Sequence, residues 1–531
     1  MKRRDFIKAS TGAAAGFVAA PYILRSVPNQ KPVNELFNSN DNIFIIVELF
    51  GGNDGLNTIV PIAEEDTYRQ LRDTLFIPAD ETARFEQSDL YMNRALVVDV
   101  HNGGMMRLLA EGNLAVVQGI GYENPTLSHF RSRDIWHAGL INSNPDVRLL
   151  EGWIGRYFAE ALPDYPDVIP DHPLAIHVGG SIPLAFKSEK GHMGIALTDP
   201  DSFYELGAGL EPVDQPFQKP LEHYFQEEYN FTHNIASQSE TYSKAVKAAY
   251  DNGIEKIKVD YSGGFAQQFK LISALIAGGL NTKVYHVRLS NFDSHAQQMD
   301  ANYQGAHATL LKEVANGISE FLDDAKKQGY NERVAGMTVS EFGRRASDNG
   351  SRGTDHGAAS IQFVFSGSDE NINGGFFNND GQPVFANLNS DNNIDYTYDF
   401  RRTYADALEL WLGATPEMTE AVFGESVPRL EVLRKRSTSV SDDISTVSGK
   451  AVKIYPNPSR GRGIIEFTLK RNRRLTVAIY EVTGKKVLDV KSGFMLRGNH
   501  RFDFVLRKSG NYMVVINTGE NTFSEKLTVL K

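Results

Sequence analysis

Acids and histidines recur in this chain at points where an apolar run gives way to glycine or a short polar loop. Asp293 and His295 stand in "NFDSHAQQ" after "KVYHVRL", Glu341 in "SEFGRR" after "VAGMTV", and Asp355 with His356 in "GTDHGAAS". Asp54 lies in "GGNDGLN" after "FIIVELF", while Ser128 and Arg131 lie in "SHFRS" after "LAVVQGIGYENPTL". Residues two apart in an extended segment share a face, so Asp293 and His295 are able to grip one ion together. Oxygen and imidazole donors meeting in one crevice suit zinc or another divalent transition metal, and magnesium or manganese as oxygens dominate. Each residue also has an ordinary explanation: Asp54 as a turn former, Ser128 as a helix cap, Glu341 as a partner of Arg344 or Arg345, His295 as a loop histidine. Their common position after apolar runs favours the chemical reading, because independent turns need no such coincidence. The glycines around Asp355 and His356 permit close backbone approach to a ligand.

Positioning these residues requires a scaffold whose strands end together. Between residues 42 and 433, buried-strand candidates such as "NIFIIVELF", "LAIHV" and "IQFVFSG" alternate with helical spacing in "GFAQQFKLISALIAGG" and "HATLLKEVANGISEFLDDAKKQG". That alternation predicts an α/β fold: a mainly parallel sheet with helices on both faces, whose ligands bind beyond the carboxyl ends of the strands. The chain has 531 residues, too many for one ordinary domain, and 41% of them are hydrophobic, enough for a large core. Its formal charge of -11 disfavours a nucleic-acid partner. With Cys 0, disulfides, thiolate metal sites and a cysteine nucleophile are excluded. No internal run predicts a transmembrane span in the mature protein.

The two ends differ from the middle. Residues 1–26 begin "MKRRDFIKAS" and continue through an Ala- and Gly-rich apolar stretch, the layout of an export signal. Arg3 and Arg4 resemble the twin-arginine pattern, which implies the twin-arginine translocase as a partner and passage to the periplasm in a folded state, with cleavage near Ala19 to Ser26. Residues 434–450, polar and serine-rich, read as a linker. Residues 451–531 contain short β-branched and aromatic runs separated by turns, predicting a small all-β sandwich. The motifs "YPNP", "IYEVTGKKV", "SGNYMVVI" and "KLTVLK" in this tail resemble the C-terminal sorting domain of type IX secretion in Bacteroidota. The resemblance implies a passenger of the type IX machinery that is secreted or attached to the outer cell surface.

The middle region, through "VELFGGNDGLNTIVP", "SEFGRRASDNGSRGTDHGAAS" and "DFRRTYADALELWLG", resembles the bacterial family called domain of unknown function fifteen-oh-one. That family is related in fold to alkaline phosphatases and sulfatases, so the resemblance implies an alkaline phosphatase-like domain with a metal-dependent hydrolase site for small-molecule or polymer esters of phosphate or related acids. It further implies Asp54, Asp293, His295, Glu341 and His356 as metal ligands, Ser128 as nucleophile, Arg131 as an anion-orienting group and Asp355 as an acceptor that orients His356. Several features depart from the pattern. Phe342 stands where phosphatases have a ligand histidine, the Asp-x-His spacing is shorter than the phosphatase one, and "SHFRS" lacks the proline that formylglycine formation in sulfatases needs. The alternatives are a catalytically silent, metal-retaining surface binding protein and a partner of another secreted protein.

Overall fold

The computed structural model describes residues 40–85, 90–97, 101–166, 168–208, 239–378, 384–436, 452–469, 473–495, 498–518 and 522–530. The expected export signal and nearly all of the expected linker lie outside the described residues.

Eight strands build the central sheet: β1 Ile43–Leu49, β2 Leu114–Gly121, β3 Ala175–Val178, β4 Ile195–Leu197, β5 Val284–Leu289, β6 Val334–Val339, β7 Ser360–Ser366 and β8 Gly375–Phe377. Their order across the sheet is β8-β2-β7-β6-β1-β5-β3-β4, with Tyr398–Asp399 pairing onto β2 as well. The pairs β1–β5, β1–β6, β5–β3, β3–β4 and β2–β8 are parallel, whereas β7 runs antiparallel to both β6 and β2. The sheet is therefore mainly parallel, with one reversed strand.

Burial on both faces explains the unbroken apolar reading of β1, IFIIVEL, in which every residue is buried. Ile43, Ile45, Val47 and Leu49 face a core shared with α3 Ala266–Ala277 and α4 Ala306–Gln328, through Phe269, Ile272, Leu311 and Phe321. Phe44 and Ile46 face the other core, against α1 His129–Ala138, α2 Trp153–Ala161 and α5 Arg401–Asp406, through Ile135, Trp153, Phe158 and Tyr404. Along α4, Leu311, Val314, Ile318, Phe321 and Ala325 recur at the three-to-four residue spacing that keeps one stripe inward. Glu48, on the same face of β1 as Phe44 and Ile46, interrupts the apolar pattern and is buried.

The C-terminal part is all β. Lys453–Tyr455, Arg462–Leu469 and Gly498–Val505 make one antiparallel sheet, and Lys486–Met495, Arg473–Glu481, Gly510–Asn517 and Thr522–Val529 make another. Ile465, Phe467, Val477, Ile479, Val514, Ile516 and Leu527 fill the single core between them, the arrangement of a sandwich. Among the described residues no helix is long and apolar enough to cross a membrane.

Candidate metal centre

Strands β1, β5 and β6 stop level with one another, since Leu49 pairs with Leu289 and Glu48 with Val339. The loops that follow therefore meet above one edge of the sheet. Gly51, at φ +126, makes this possible: a Cβ there would lie 2.3 Å from the backbone nitrogen of Asp293. A short hairpin, Gly343–Arg344 against His356–Gly357, folds the chain back before β7 and returns His356 to the same edge. Gly353 lets the returning loop press on the one carrying His295, where a Cβ would lie 2.3 Å from the His295 carbonyl carbon. The pliable glycines around Asp355 and His356 thus serve close packing of two loops. The N-terminus of α1 completes the ring and presents His129.

Four side chains converge. The Nε2 atoms of His295 and His356 are 2.9 Å apart, and Asp293 Oδ1 lies 3.1 Å from the first and 3.4 Å from the second. On the other side of the carboxylate, Oδ2 lies 3.4 Å from His129 Nε2. The opposite nitrogens fix the rings. His356 Nδ1 donates to the carbonyl of Leu127 at 2.8 Å, His129 Nδ1 to Glu341 Oε1 at 2.7 Å, and His295 Nδ1 to Asp355 Oδ1 at 3.3 Å. A carbonyl or carboxylate oxygen only accepts, so each Nδ1 carries a proton, and a ring that is neutral keeps its lone pair on Nε2. Lone pairs 2.9 Å apart beside a carboxylate oxygen repel unless a cation lies among them. His129, Asp293 and His356 offer ligand atoms that all lie within 4.8 Å of one another, with His295 beside His356 and Asp293, and these imidazoles and carboxylate form a donor set that fits a divalent transition ion, zinc above all.

The surrounding charges are consistent with that set. Burial pushes the Asp293 carboxyl up, but the Arg344 guanidinium 2.9 Å away outweighs it and holds the group below the usual range. Arg344 itself is wholly buried, bonded to the carbonyls of Gly51, Gly52, Phe292 and Thr354. The hydrogen bond from Glu341 raises the His129 pKa against the opposing effect of burial. Burial lowers that of His356, which favours the neutral ring. Phe342 is buried, its ring 4.8 Å from that of His129 and 4.5 Å from that of His356. It walls the centre where a ligand could otherwise enter the shell.

The structure brings some of the expected residues together and places others apart. Asp293, His295 and His356 come together. Glu341 stands behind His129, accepting also from the Gly51 amide at 2.9 Å, rather than among the converging atoms. Asp54 is not part of the cluster: it is fully buried and its carboxylate is taken up by Arg72, the Gln298 amide and the Asn57 backbone. Arg131 is drawn away from the centre, bonding the carbonyls of Val147 and Asn142 and so pinning a neighbouring loop. Asp355 pairs with His295 instead of His356, whose Nδ1 is already occupied by Leu127. Ser128 is exposed at the N-cap of α1 and makes no capping hydrogen bond with its side chain, between the two residues that hold His356 and Asp293. His129 is a side chain of the centre that sequence reasoning passed over, and Arg344 was read only as a partner for Glu341. The signal for His129 was its place beside Ser128 at a helix start.

Two segments of the chain match known family models. Residues 205–394 match the family described as protein of unknown function (DUF1501), and residues 453–530 match the secretion system C-terminal sorting domain. The chain therefore carries a DUF1501-type segment followed by a C-terminal secretion sorting domain. No curated protein sequence matches it. Several solved structures align over most of the chain. They include a sulfatase from Pseudoalteromonas sp., at 9% identity over 92% of this chain and 88% of that one with a TM-score of 0.32. A phosphonate monoester hydrolase from Silicibacter pomeroyi is 10% identical over 92% of this chain and 88% of its own, at a TM-score of 0.31. An alkaline phosphatase superfamily protein from Vibrio parahaemolyticus is 9% identical over 92% and 82%, at 0.30. Superpositions this loose carry no argument about chemistry, which rests on the side chains above.

Proposed function

We propose that this is a secreted or surface-attached hydrolase of phosphate or related esters that works with a single divalent metal ion held by Asp293, His129, His295 and His356. The observation behind the reading is the pair of Nε2 atoms 2.9 Å apart beside Asp293 Oδ1, an arrangement that a cation among them would stabilise. When bound, such an ion supplies Lewis acidity, polarising an ester oxygen and lowering the pKa of a nearby hydroxyl. The chain's own residues do the rest. Ser128 offers an exposed hydroxyl at the mouth of the centre as nucleophile, and Asp293, half exposed, leaves the centre open to substrate. Glu341, Leu127 and Asp355 hold the three rings in register, so little reorganisation is needed during reaction. Arrival at the surface would follow the twin-arginine route read from Arg3 and Arg4, then the sorting domain.

A second reading, a metal-retaining binding protein without turnover, draws on one observation. Arg131 is tied to backbone carbonyls and so is not available to orient an anionic group. One experiment separates the two: metal content and hydrolysis of a panel of aryl phosphate, phosphonate and sulfate esters by the full chain, Ser128→Ala and Asp293→Asn. Hydrolysis is expected in the full chain, with Ser128→Ala keeping the metal and losing turnover and Asp293→Asn losing both. Metal without turnover on any ester supports the binding protein, and a chain that takes up no metal removes both readings.

A further inference from the structure

A second histidine cluster lies on the α1 side of the sheet, in the interior. Glu48 on β1, His286 on β5 and His177 on β3 occupy one face of three adjacent parallel strands, where Ile46 is in register with His286 and His286 with His177. From α1, Arg133 and His137 reach down to the same row. All four acids and histidines are at least nine-tenths buried: Glu48 is 3% exposed, His137 4%, His177 5% and His286 1%. Such a polar row on an apolar face costs free energy unless its groups are satisfied.

Charge neutralisation accounts for only part of it. Arg133 engages both oxygens of Glu48, Nε at 2.5 Å and Nη2 at 3.2 Å, and together with the neighbouring His137 and His286 it offsets the burial of the carboxylate. His137 Nε2 then lies 3.4 Å from Glu48 Oε1, and His286 Nε2 lies 3.4 Å from Oε2. Neither Nε2 has a hydrogen-bond partner among the described residues, and nor does His137 Nδ1. The rings approach the carboxylate without pointing at it. Atoms that share a central ligand behave this way: for bonds of about 2.1 Å, the edge of a tetrahedral shell is about 3.4 Å. With His286 Nδ1, at the back, donating to His177 Nδ1 at 2.9 Å, the ring is braced from behind and keeps its lone pair on Nε2.

We propose that Glu48, His137 and His286 form a second divalent-metal site, closed to solvent and structural in role, independent of the centre at Asp293. Its ligands come from three elements, β1, β5 and α1, so an ion there would clamp α1 onto the sheet. His129 and His137 are eight residues apart on α1, about 12 Å along the axis. Two-metal catalysis needs ions about 4 Å apart, so this ion does not share a substrate with the first. The same helix instead serves both: its first residue faces the open centre and its ninth the closed one.

The test is zinc content of full-length protein folded with zinc and freed of excess, measured by mass spectrometry. Two ions per chain are expected, one in Asp293→Asn, one in His286→Asn and one in Glu48→Gln. If the open centre alone fails to bind, the wild type holds one ion, insensitive to Asp293→Asn and lost in His286→Asn, which separates the two proposals. An arm that leaves the buried row intact uses cobalt(II) in Asp293→Asn protein: tetrahedral visible absorption and a melting temperature lowered by removal of the ion are expected. A zinc count unchanged by both His286→Asn and Glu48→Gln, or an Asp293→Asn protein that binds neither zinc nor cobalt, overturns the closed site. The row would then be a neutral hydrogen-bonded network around the Arg133–Glu48 pair.

Discussion

Glu341→Gln isolates the orienting role of one buried carboxylate. Glu341 Oε1 accepts from His129 Nδ1 at 2.7 Å and from the Gly51 amide at 2.9 Å, and its side chain is 2% exposed. Glutamine keeps the shape and one acceptor oxygen but loses the charge that makes the bond to His129 strong. A hydrogen bond to a charged group is worth about 1.5–3 kcal/mol, and every 1.4 kcal/mol is tenfold in affinity. Metal affinity should therefore fall roughly 10- to 100-fold, the usual range for losing an orienting partner of a ligand histidine. Competition against a chromophoric chelator measures this directly, and far-UV circular dichroism confirms that the variant folds. The His129 pKa, followed by NMR in metal-free protein, should drop toward the ordinary value at the same time, since the Glu341 bond is the main cause of its elevation. A folded variant with affinity within twofold of wild type would refute the claim that Glu341 positions a ligand, and with it the place of His129 in the shell.

Asp355→Asn tests the corresponding support of His295; because Asp355 is half exposed, its loss should weaken metal binding by less than about tenfold, read in the same competition assay. Phe342→Ala removes a buried ring packed on His129 and His356, and a drop of about 3–5 kcal/mol in unfolding free energy by denaturant titration is expected, together with weaker metal binding. Asp406 gives a pH test remote from either centre. Burial raises its pKa to about 6 although the amides of Glu431, Val432 and Leu433 donate to it. A raised folded pKa means that its contribution to stability is fully present below about pH 4, the unfolded value, and is lost as pH rises through about 6. The loss amounts to about 3 kcal/mol for a shift of roughly two units. Wild type should decline relative to Asp406→Asn across that window in urea melts, and parallel profiles would contradict the assignment.

Some of this architecture is legible locally. An unbroken apolar run such as IFIIVEL signals a strand buried on both faces, and the stripe on α4 signals a helix against a sheet, because burial periodicity is written in neighbouring residues. Asp293 and His295 could be paired on the same ground, being two residues apart. The reversed direction of β7 was not legible, since it depends on the excursion through residues 343–357 returning to the same edge of the sheet. Arg344 was read as a partner for Glu341, yet its guanidinium turns to Asp293 and the carbonyls of three loops, a choice made by where those loops meet.

The sequence by itself determined the alternation of strands and helices, the β tail with its sorting motifs and the positions of acids and histidines just past strand ends. Those properties depend on periodicity and on short motifs, which act over a few residues. Only the tertiary structure decided which of those side chains come together: His129 entered, Asp54 was claimed by Arg72, and Arg131 turned to a backbone loop. It also gathered Glu48, His137, His177 and His286, four residues on four elements with no local pattern linking them. Ligand convergence is fixed by strand register and helix placement across hundreds of residues, and by competition among charges for the nearest partner, neither of which a linear spacing encodes.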